Sequence, residues 1–277
     1  MKKILVPTDF SPLAENALKV AAKIAKKHNG EIFLLHLLDL PLDLIDPKAS
    51  SSSDLPESIF FMKLAHQRFT AAMNKDYLKD IKVHETVEFN EAFDGIMKVG
   101  EKHNCDLIIM GSHGAEGLKE VFVGSNTEKV VRYSKIPVLV IKSETEEFKA
   151  KHLLFATNLA LETAESYENA RKFSKKMNVD MTTVFVNTVG KFRTSDHIDE
   201  QIEKFKNKVN DPNFKIVVRN DKNTEDGILN FANKMKADVI GIGTHGRKGI
   251  SRLLNGSLSE HIVNHAKRPV ITFNISE

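Results

Sequence analysis

Two stretches of the sequence share a glycine spacing that suits phosphate binding. In each, the pattern Gly-x2-Gly-x9-Gly-Ser follows a run of apolar residues. Glycine lets backbone N–H groups approach an anion without a Cβ in the way, and a helix that follows adds unpaired amide donors and a partial positive charge. This arrangement is typical of a site that binds phosphate groups. The first stretch contains Gly111, Gly114, Gly124 and Ser125, and the second contains Gly243, Gly246, Gly256 and Ser257.

The glycine stretches also allow a structural interpretation, in which the glycines only shape turns and the serine only caps a helix. Two copies with the same internal spacing favour ligand binding over that alternative. The Walker A pattern is absent from both, and the G-x-G-x-x-G match at 241–246 lacks the further βαβ unit of a dinucleotide fold. His113 and His245 lie within the loops, so they are candidates for phosphate contact and weaker candidates for acid–base catalysis.

The other chemically reactive side chains are interpreted as structural. Cys105 is the one cysteine, so it cannot form an internal disulfide, which favours a reducing compartment. It precedes an apolar run and is expected to pack in the core. Asp106 and Asp238 also precede apolar runs, at the end away from a ligand. The remaining histidines are interpreted as scattered, without a pair at the spacing of a zinc-binding helix, so no metal site and no catalytic residue is predicted.

The chain consists of two repeats, and these define the elements around the glycine stretches. Residues 106–114 match 238–246 at an offset of 132 (238 − 106), whereas residues 3–9 match 152–158 at an offset of 149 (152 − 3). The first repeat therefore has 17 more residues between these anchors (149 − 132). The Pro- and Ser-rich segment 40–58 predicts an exposed loop there, and a join at 143–149 separates the repeats.

Strand and helix patterns alternate within each repeat. Ser11 predicts a helix N-cap with Pro12 at the first helical position, and Gly30 predicts the end of that helix. Short apolar strands joined through helices predict a parallel sheet with helices on both faces, where ligands bind beyond the carboxyl ends of the strands. The predicted strands are 4–6, 32–35, 81–87, 107–110 and 138–141, then 153–156, 182–186, 214–218, 239–242 and 270–273; the predicted helices include 60–73, 93–103 and 125–133.

Length, composition and charge exclude several classes of protein. The 277 residues suffice for two domains of about 100–200 residues each, and the 41% hydrophobic content supports a packed core. The net charge is +3 without a block of like charge, which gives no case for a nucleic-acid or membrane partner. No apolar run approaches the ~18 residues of a membrane span, and the run at 4–7 is too short for an export signal. We therefore expect a cytoplasmic protein.

The opening segment and the two glycine loops together resemble the universal stress protein family in its tandem form, with two domains in one chain. The opening segment is Val6-Pro7-Thr8-Asp9-Phe10-Ser11, and the loops read Gly111-Ser112-His113-Gly114 closing in Gly124-Ser125, and Gly243-Thr244-His245-Gly246-Arg247-Lys248-Gly249 closing in Gly256-Ser257. The resemblance implies an α/β fold with domains at 1–145 and 150–277. Each domain would be Rossmann-like (adenine nucleotide alpha hydrolase-like), with a five-stranded parallel sheet of order 3-2-1-4-5 and helices on both faces. This order brings the loops after strands 1 and 4 together.

The resemblance also implies that the chain binds ATP, or AMP or ADP, with Mg²⁺ held through the phosphates. The glycine loops would hold the phosphates, Asp9 would contact the adenosine part, and the backbone after the second strand, at Leu37 and Val186, would contact adenine. The binding residues implied in this way are Pro7, Thr8, Asp9, Leu37, Gly111, His113, Gly114, Gly124, Ser125 and Asn126 in the first repeat, and Ala156, Thr157, Asn158, Val186, Gly243, His245, Gly246, Gly256, Ser257 and Leu258 in the second.

The two predicted sites are not equivalent. Asn158 stands where the first repeat has Asp9, and an amide accepts a hydrogen bond without the charge assistance of a carboxylate. The charges of the two glycine loops, in contrast, favour the second repeat. Segment 111–124 contains two acidic residues and one lysine, whereas segment 243–256 contains three basic residues and no acidic one. A triphosphate should prefer the second loop, while the adenosine part should prefer the first site.

Three functions remain open at this point. The leading one is an adenine-nucleotide-binding regulatory protein of the stress response, without strong catalysis. The second is a slow ATPase or a nucleotide-activating enzyme, although Asp9, the obvious carboxylate near the site, is assigned to the end of the nucleotide away from the γ-phosphate. The third is an adaptor with degenerate sites, which Asn158 and the acidic first loop favour.

The resemblance also bears on assembly. Single-domain members of the family commonly dimerise through their last strands. Segments 138–141 and 270–273 are therefore expected to pair within this chain as an internal pseudo-dimer, and the association of two chains into a homodimer stays open.

Overall fold

The computed structural model describes residues 1–38, 55–89, 91–112, 124–142, 148–245 and 258–275, with 55–58, 245 and 275 described by their backbone alone. The chain divides into two compact units, Met1–Leu118 and Lys119–Glu277. Each unit is an α/β structure with a mainly parallel sheet. Among the described residues, no helix is both long enough and apolar enough to cross a membrane.

The first unit contains four parallel strands in the order β3-β2-β1-β4. Pairing of β1 with both β2 and β4 places the end of β1 where the direction of winding reverses. Ile4, Leu5 and Val6 of β1 are fully buried, as expected for a central strand covered on both faces. The elements are β1 Lys3–Pro7, α1 Pro12–His28, β2 Glu31–Leu37, α2 Leu55–Met73, a short 3-10 helix Asp76–Leu78, β3 Lys82–Glu88, α3 Ala92–Lys102 and β4 Leu107–Gly111.

The first helix begins as the sequence predicts but ends differently. The Ser11 side chain accepts a hydrogen bond from the Ala14 N–H, and Pro12 opens the helix, which confirms the predicted cap. At the other end, Asn29 rather than Gly30 takes the left-handed conformation (φ 48°) and caps the helix, and the Gly30 N–H bonds to the Ala25 carbonyl just beyond the last helical residue. Gly30 also serves close packing, because a Cβ there would lie 2.8 Å from the Met1 carbonyl oxygen.

The second unit contains six strands in the order β5-β10-β9-β6-β7-β8. The strands of the second repeat follow the predicted order 3-2-1-4-5, since β6 lies between β7 and β9, and β10 lies beyond β9. The elements are α4 Ser125–Tyr133, β5 Val138–Ile141, β6 His152–Ala156, a 3-10 helix Leu161–Thr163, α5 Ala164–Met177, β7 Asp180–Thr188, a 3-10 helix Val189–Lys191, α6 Ser195–Val209, β8 Ile216–Asp221, α7 Thr224–Lys234, β9 Val239–His245, α8 Leu258–His265 and β10 Val270–Ile275.

The last strands of the two repeats pair antiparallel within this unit, as the sequence interpretation expected. Val140 is opposite Val270 and Leu139 is opposite Ile271, and all four side chains are buried. The helices that precede these strands also meet, because α4 packs against α8. The second unit therefore contains the final helix and strand of the first repeat in addition to the whole second repeat.

Several element boundaries differ from the sequence predictions, among them the starts of α2 and β8. Helix α2 begins at Leu55, so residues 55–58 are helical where a loop was predicted, while 39–54 lie outside the described residues. Strand β8 begins at Ile216, two residues after the predicted start. The reason is that the Phe214 N–H bonds to the Asp211 carbonyl in a turn, and its ring packs 5.2 Å from that of Tyr167.

Candidate functional site

The turn that follows β1 is held by two side chains that the sequence predicts as ligand contacts. Thr8 Oγ1 accepts the Phe10 N–H at 2.9 Å, and Asp9 Oδ1 accepts the Ser11 N–H at 2.9 Å. The Thr8 N–H in turn bonds to the Leu35 carbonyl of β2 at 2.7 Å. Phe10 has φ 62°, in the left-handed region that non-glycine residues rarely occupy. These bonds fix the backbone of a tight turn at the carboxyl end of the central strand, directly after Pro7.

The turn that follows β6, after Ala156, repeats this geometry. Thr157 Oγ1 accepts the Leu159 N–H at 3.1 Å, Asn158 Oδ1 accepts the Ala160 N–H at 2.9 Å, and Leu159 again has φ 62°. Asn158 Oδ1 also lies 3.3 Å from Thr163 Oγ1 as an acceptor. Asparagine in the second repeat therefore preserves the turn, but it lacks the negative charge and has an NH2 donor in place of the second carboxylate oxygen.

A histidine that the sequence analysis did not single out lies beside the first turn. His36, next to the end of β2, is 2.8 Å from the Thr8 carbonyl through Nδ1, so this nitrogen carries the proton and donates it. Its ring centroid lies 4.7 Å from that of Phe10, and Phe10 lies 5.2 Å from Phe69 of α2. Burial lowers the pKa of His36, and the nearby Arg68 charge lowers it further. The signal that could have found it is a single histidine near the end of an otherwise apolar strand.

The second repeat has an aromatic residue at the equivalent place. Phe185 of β7 corresponds to His36, and the Arg193 guanidinium carbon lies 5.3 Å from the centre of its ring. The Asn187 side chain both donates to the Arg193 carbonyl and accepts the Arg193 N–H, which fixes the backbone after β7. Val186 is buried, whereas Leu37 of the first repeat is partly exposed. The first turn thus has an imidazole beside it, and the corresponding strand position of the second repeat carries an aromatic residue.

The glycines at the ends of β4 and within β9 are required for packing of the sheet against a helix. A Cβ on Gly111 would lie 3.1 Å from backbone and side-chain atoms of Leu13, and a Cβ on Gly243 would lie 2.5 Å from Ser166 Oγ. No described glycine has a positive φ. At Gly111 and Gly243, close approach of α1 and α5 therefore accounts for the residue type.

The helix after the first glycine loop is capped differently from the prediction. Gly124 holds the N-cap position of α4 and Ser125 is the first helical residue, so Ser125 does not cap the helix as proposed. Because Gly124 has no side chain, it supplies no side-chain cap to the first turn of α4, which contains Asn126. In the second repeat, the described chain resumes at Leu258, the first residue of α8.

Several predicted binding residues cannot be placed in this geometry. His113, Gly114, Gly246, Gly256 and Ser257 lie outside the described residues, and for His245 only the backbone is described. Two buried polar atoms lie near the second loop. Thr244 Oγ1 and Asn274 Oδ1, on paired residues of β9 and β10, have no hydrogen-bond partner among the described residues. Buried polar atoms of this kind require a partner, which a bound ligand can supply.

Asp106, Asp238 and Cys105, which the sequence analysis interprets as structural, make structural contacts or lie in the core. Asp106 Oδ2 accepts the backbone N–H groups of Lys2 and Lys3 at the amino end of β1, and Asp238 Oδ2 makes the same two contacts before β6. Burial raises the pKa of the Cys105 thiol to about 11, so it is an unreactive core residue. Neither aspartate lies at the carboxyl end of a strand.

One cluster contradicts the interpretation of the histidines as scattered. His261 and His265 are four residues apart on α8, and both lie close to Glu225 of α7. The spacing of the two histidines is visible in the sequence. Their proximity to Glu225 is not, because Glu225 lies 36 positions before His261 (261 − 225).

Comparisons with known proteins agree with the fold. The sequence profile described as the universal stress protein family matches residues 1–142 and 151–274. Universal stress protein MJ0577 of Methanocaldococcus jannaschii is 37% identical over 153 residues, which cover 51% of this chain and 94% of that protein. Universal stress protein MJ0531 of the same organism is 29% identical over 155 residues, covering 53% of this chain and 85% of that protein.

A solved structure extends the similarity over both repeats. The crystal structure of a universal stress protein from Archaeoglobus fulgidus covers 99% of this chain and 97% of its own, with a TM-score of 0.64 and 22% sequence identity. At this identity the likeness concerns the fold. Because the family profile matches twice and covers nearly the whole chain, the protein belongs to the universal stress protein family and carries two copies of its domain.

Proposed function

We propose that the chain is a regulatory protein that binds an adenine nucleotide, such as ATP, beside the turn after the first strand of each repeat. The observation that carries this proposal is the recurrence of one turn, with Thr Oγ1 and Asp or Asn Oδ1 as its acceptors, at the switch point of both repeats. Ligands of open α/β sheets bind at that point.

The chemistry of the first turn suits the sugar of a nucleotide. A carboxylate accepts several hydrogen bonds at once, so Asp9 can hold the Ser11 N–H and also accept from a ribose hydroxyl. A charge-assisted bond of this kind is about twice as strong as a neutral one. Asn158 offers the neutral version in the second repeat.

The residues that follow the fourth strand of the second repeat suit the binding of phosphate groups. In the second repeat, the segment that connects β9 to α8 carries Arg247, Lys248 and Arg252. Basic side chains and a helix N-terminus both stabilise an anion. The buried atoms Thr244 Oγ1 and Asn274 Oδ1 add polar groups that need a partner at this end of β9. We propose that Mg²⁺ accompanies the phosphates and that the protein acts in the cytoplasm.

Strong catalysis is not part of the proposal. Hydrolysis of ATP needs a group that positions water or metal near the γ-phosphate. Within the part of the chain that the structure describes, Asp9 is the acidic side chain of the first turn, and it is assigned to the ribose. We therefore expect weak ATP hydrolysis at most.

Calorimetric titration of the full chain with ATP tests this proposal. The wild type should bind two nucleotides, and Asp9→Ala and Asn158→Ala should each remove one of them. Asp76→Ala is the matched control, because Asp76 is an exposed carboxylate outside both turns. This variant should bind ATP as the wild type does. Absence of saturable heat in the wild type, or unchanged binding in both turn variants, would overturn the proposal.

A further inference from the structure

Glu225, His261 and His265 form a cluster in which one ligand atom from each side chain lies within 4.8 Å of those from the other two. We refer to it as the Glu225 cluster. Glu225 Oε2 lies 3.5 Å from Nδ1 of His261, and Oε1 is hydrogen-bonded to Nδ1 of His265. One carboxylate therefore presents an oxygen to each of two imidazoles, and both imidazoles face it through the same ring nitrogen.

The spacing of the histidines places them on one face of a helix. His261 and His265 are separated by four residues on α8, so their side chains are neighbours on the helix surface. Glu225 lies in the first turn of α7, where the Asn223 side chain caps the helix by accepting the Asp226 N–H at 2.8 Å. The three side chains thus project from regular helices.

The two helices are also fixed relative to each other. Ile228 of α7 and Ile262 and Val263 of α8 are buried in the core. Beyond the end of α8, Arg268 Nη1 donates to the carbonyl oxygens of Ala232 at 2.7 Å and Ala237 at 2.9 Å, which ties this segment to the end of α7. The backbone positions of the three cluster residues are therefore set by packing rather than by the cluster itself.

Two imidazole nitrogens and one carboxylate oxygen are a donor set that Zn²⁺ binds, with a water molecule in the fourth position. With Zn–N and Zn–O distances of about 2.1 Å, tetrahedral ligand atoms lie ~3.4 Å apart. The three ligand atoms lie within 4.8 Å of one another, so each pair must close by ~1.4 Å at most to reach that spacing. The side chains are between 24% and 47% exposed, so an ion can reach them from solvent.

We propose that the Glu225 cluster is a binding site for a divalent transition-metal ion, with Zn²⁺ as the best match. The ion replaces the hydrogen bond between Glu225 and His265: Nδ1 of the neutral imidazole binds the ion, and the ring proton moves through solvent to Nε2. Bound metal links the start of α7 to α8 and so stabilises the second unit. This inference is independent of nucleotide binding.

A plain ion pair is the competing explanation, and the structure contains one for comparison. His66 Nδ1 lies 3.1 Å from Glu85 Oε1 as a simple pair on the surface. A pair requires one imidazole, whereas in the Glu225 cluster a second imidazole directs the same nitrogen to the same carboxylate. That second histidine is what favours a metal site.

The experiment is a titration of the full, nucleotide-free chain with Zn²⁺ in competition with a chromogenic chelator, followed by Co²⁺ binding monitored by visible absorption. The wild type should bind one more metal ion than His261→Ala, His265→Ala or Glu225→Gln, and these three variants should lose the absorption of tetrahedral Co²⁺ that the wild type shows. His66→Ala is the matched control and should bind metal as the wild type does.

Thermal unfolding gives an independent readout for variants with altered stability. Zn²⁺ should raise the Tm of the wild type and of His66→Ala but not that of Glu225→Gln, which keeps the size of the side chain. Equal Zn²⁺ binding by the wild type and the three cluster variants, or a wild type that takes no Zn²⁺ from the chelator, would overturn the proposal.

Discussion

Asp9 and Asn158 show how one residue type can change at a site while its backbone is preserved. Both side chains accept the N–H two residues later, and both turns contain an apolar residue with φ 62°. What differs is charge and surroundings, since His36 lies beside the first turn and Phe185 at the equivalent place in the second. The two sites should therefore respond differently to pH.

Acidification should destabilise the chain through His36. Because burial lowers the pKa of His36 below 6.5, the unfolded chain takes up a proton near pH 6.5, whereas the folded chain does so only at lower pH. The free energy of unfolding should therefore fall as the pH decreases from 6.5 toward the lowered pKa, and stop falling below it. His36→Asn keeps a donor for the Thr8 carbonyl and should reduce the pH dependence of the free energy of unfolding. Urea unfolding at pH values above and below 6.5 measures this change.

The control for this measurement is His197→Asn, since His197 is exposed. It should leave the pH dependence of unfolding as in the wild type. An unchanged dependence in His36→Asn would show that the buried imidazole is not responsible.

At the scale of elements, the packing of the first helix of each repeat against the fourth strand determines where glycine is required. Gly111 and Gly243 are at corresponding places in the two repeats, and they face Leu13 of α1 and Ser166 of α5, respectively. These contacts set how closely the helix approaches the end of the strand beside the candidate site. A change in either glycine should thus affect stability through the helix.

Gly243→Ala should destabilise the chain by about 1–3 kcal/mol, because the added Cβ would lie 2.5 Å from Ser166 Oγ and 2.9 Å from Ser166 Cβ. In a Ser166→Gly background the cost should shrink, since both clashing atoms are removed. Chemical denaturation of the two single variants and the double variant measures this coupling. Gly190→Ala is the control, because nothing lies within 4 Å of a Cβ there. Equal cost of Gly243→Ala in both backgrounds would contradict the packing explanation.

Local features were predictable from the sequence, and features that depend on distant residues were not. The Ser11 cap with Pro12 depends on adjacent residues, and it was predicted correctly. The role of His36 depends on a carbonyl 28 residues away, and that of Gly243 on a helix 77 residues earlier (243 − 166). The Glu225 cluster likewise needs α7 and α8 side by side. Such contacts follow from tertiary packing, which residue spacing does not contain.

At the scale of the whole molecule, the final elements of the first repeat belong to the second compact unit. Strand β5 pairs with β10, α4 packs against α8, and Arg132 Nη1 of α4 lies 3.5 Å from Glu260 Oε1 of α8. The segment 143–147 that joins the repeats in sequence is therefore not the sole connection between them.

Cleavage of the chain within 143–147, at an inserted protease site, should leave the two fragments associated. The buried strand pair Val138–Ile141 with β10 should hold them together in gel filtration under native conditions. Leu139→Pro removes a ladder hydrogen bond from β5 and should weaken the association, whereas Lys149→Pro, outside the strands, should not. Separation of two folded fragments after cleavage would contradict this account.

The central claim is that each repeat holds a nucleotide at the carboxyl ends of its first and fourth strands. A crystal structure of the full chain grown with ATP and Mg²⁺ tests it most directly. We predict density for one nucleotide with adenosine beside Asp9 and phosphates at the segment that follows β4, and for a second with adenosine beside Asn158 and phosphates at the segment that follows β9. Crevices that hold only solvent or the protein's own side chains at saturating ATP would contradict the claim.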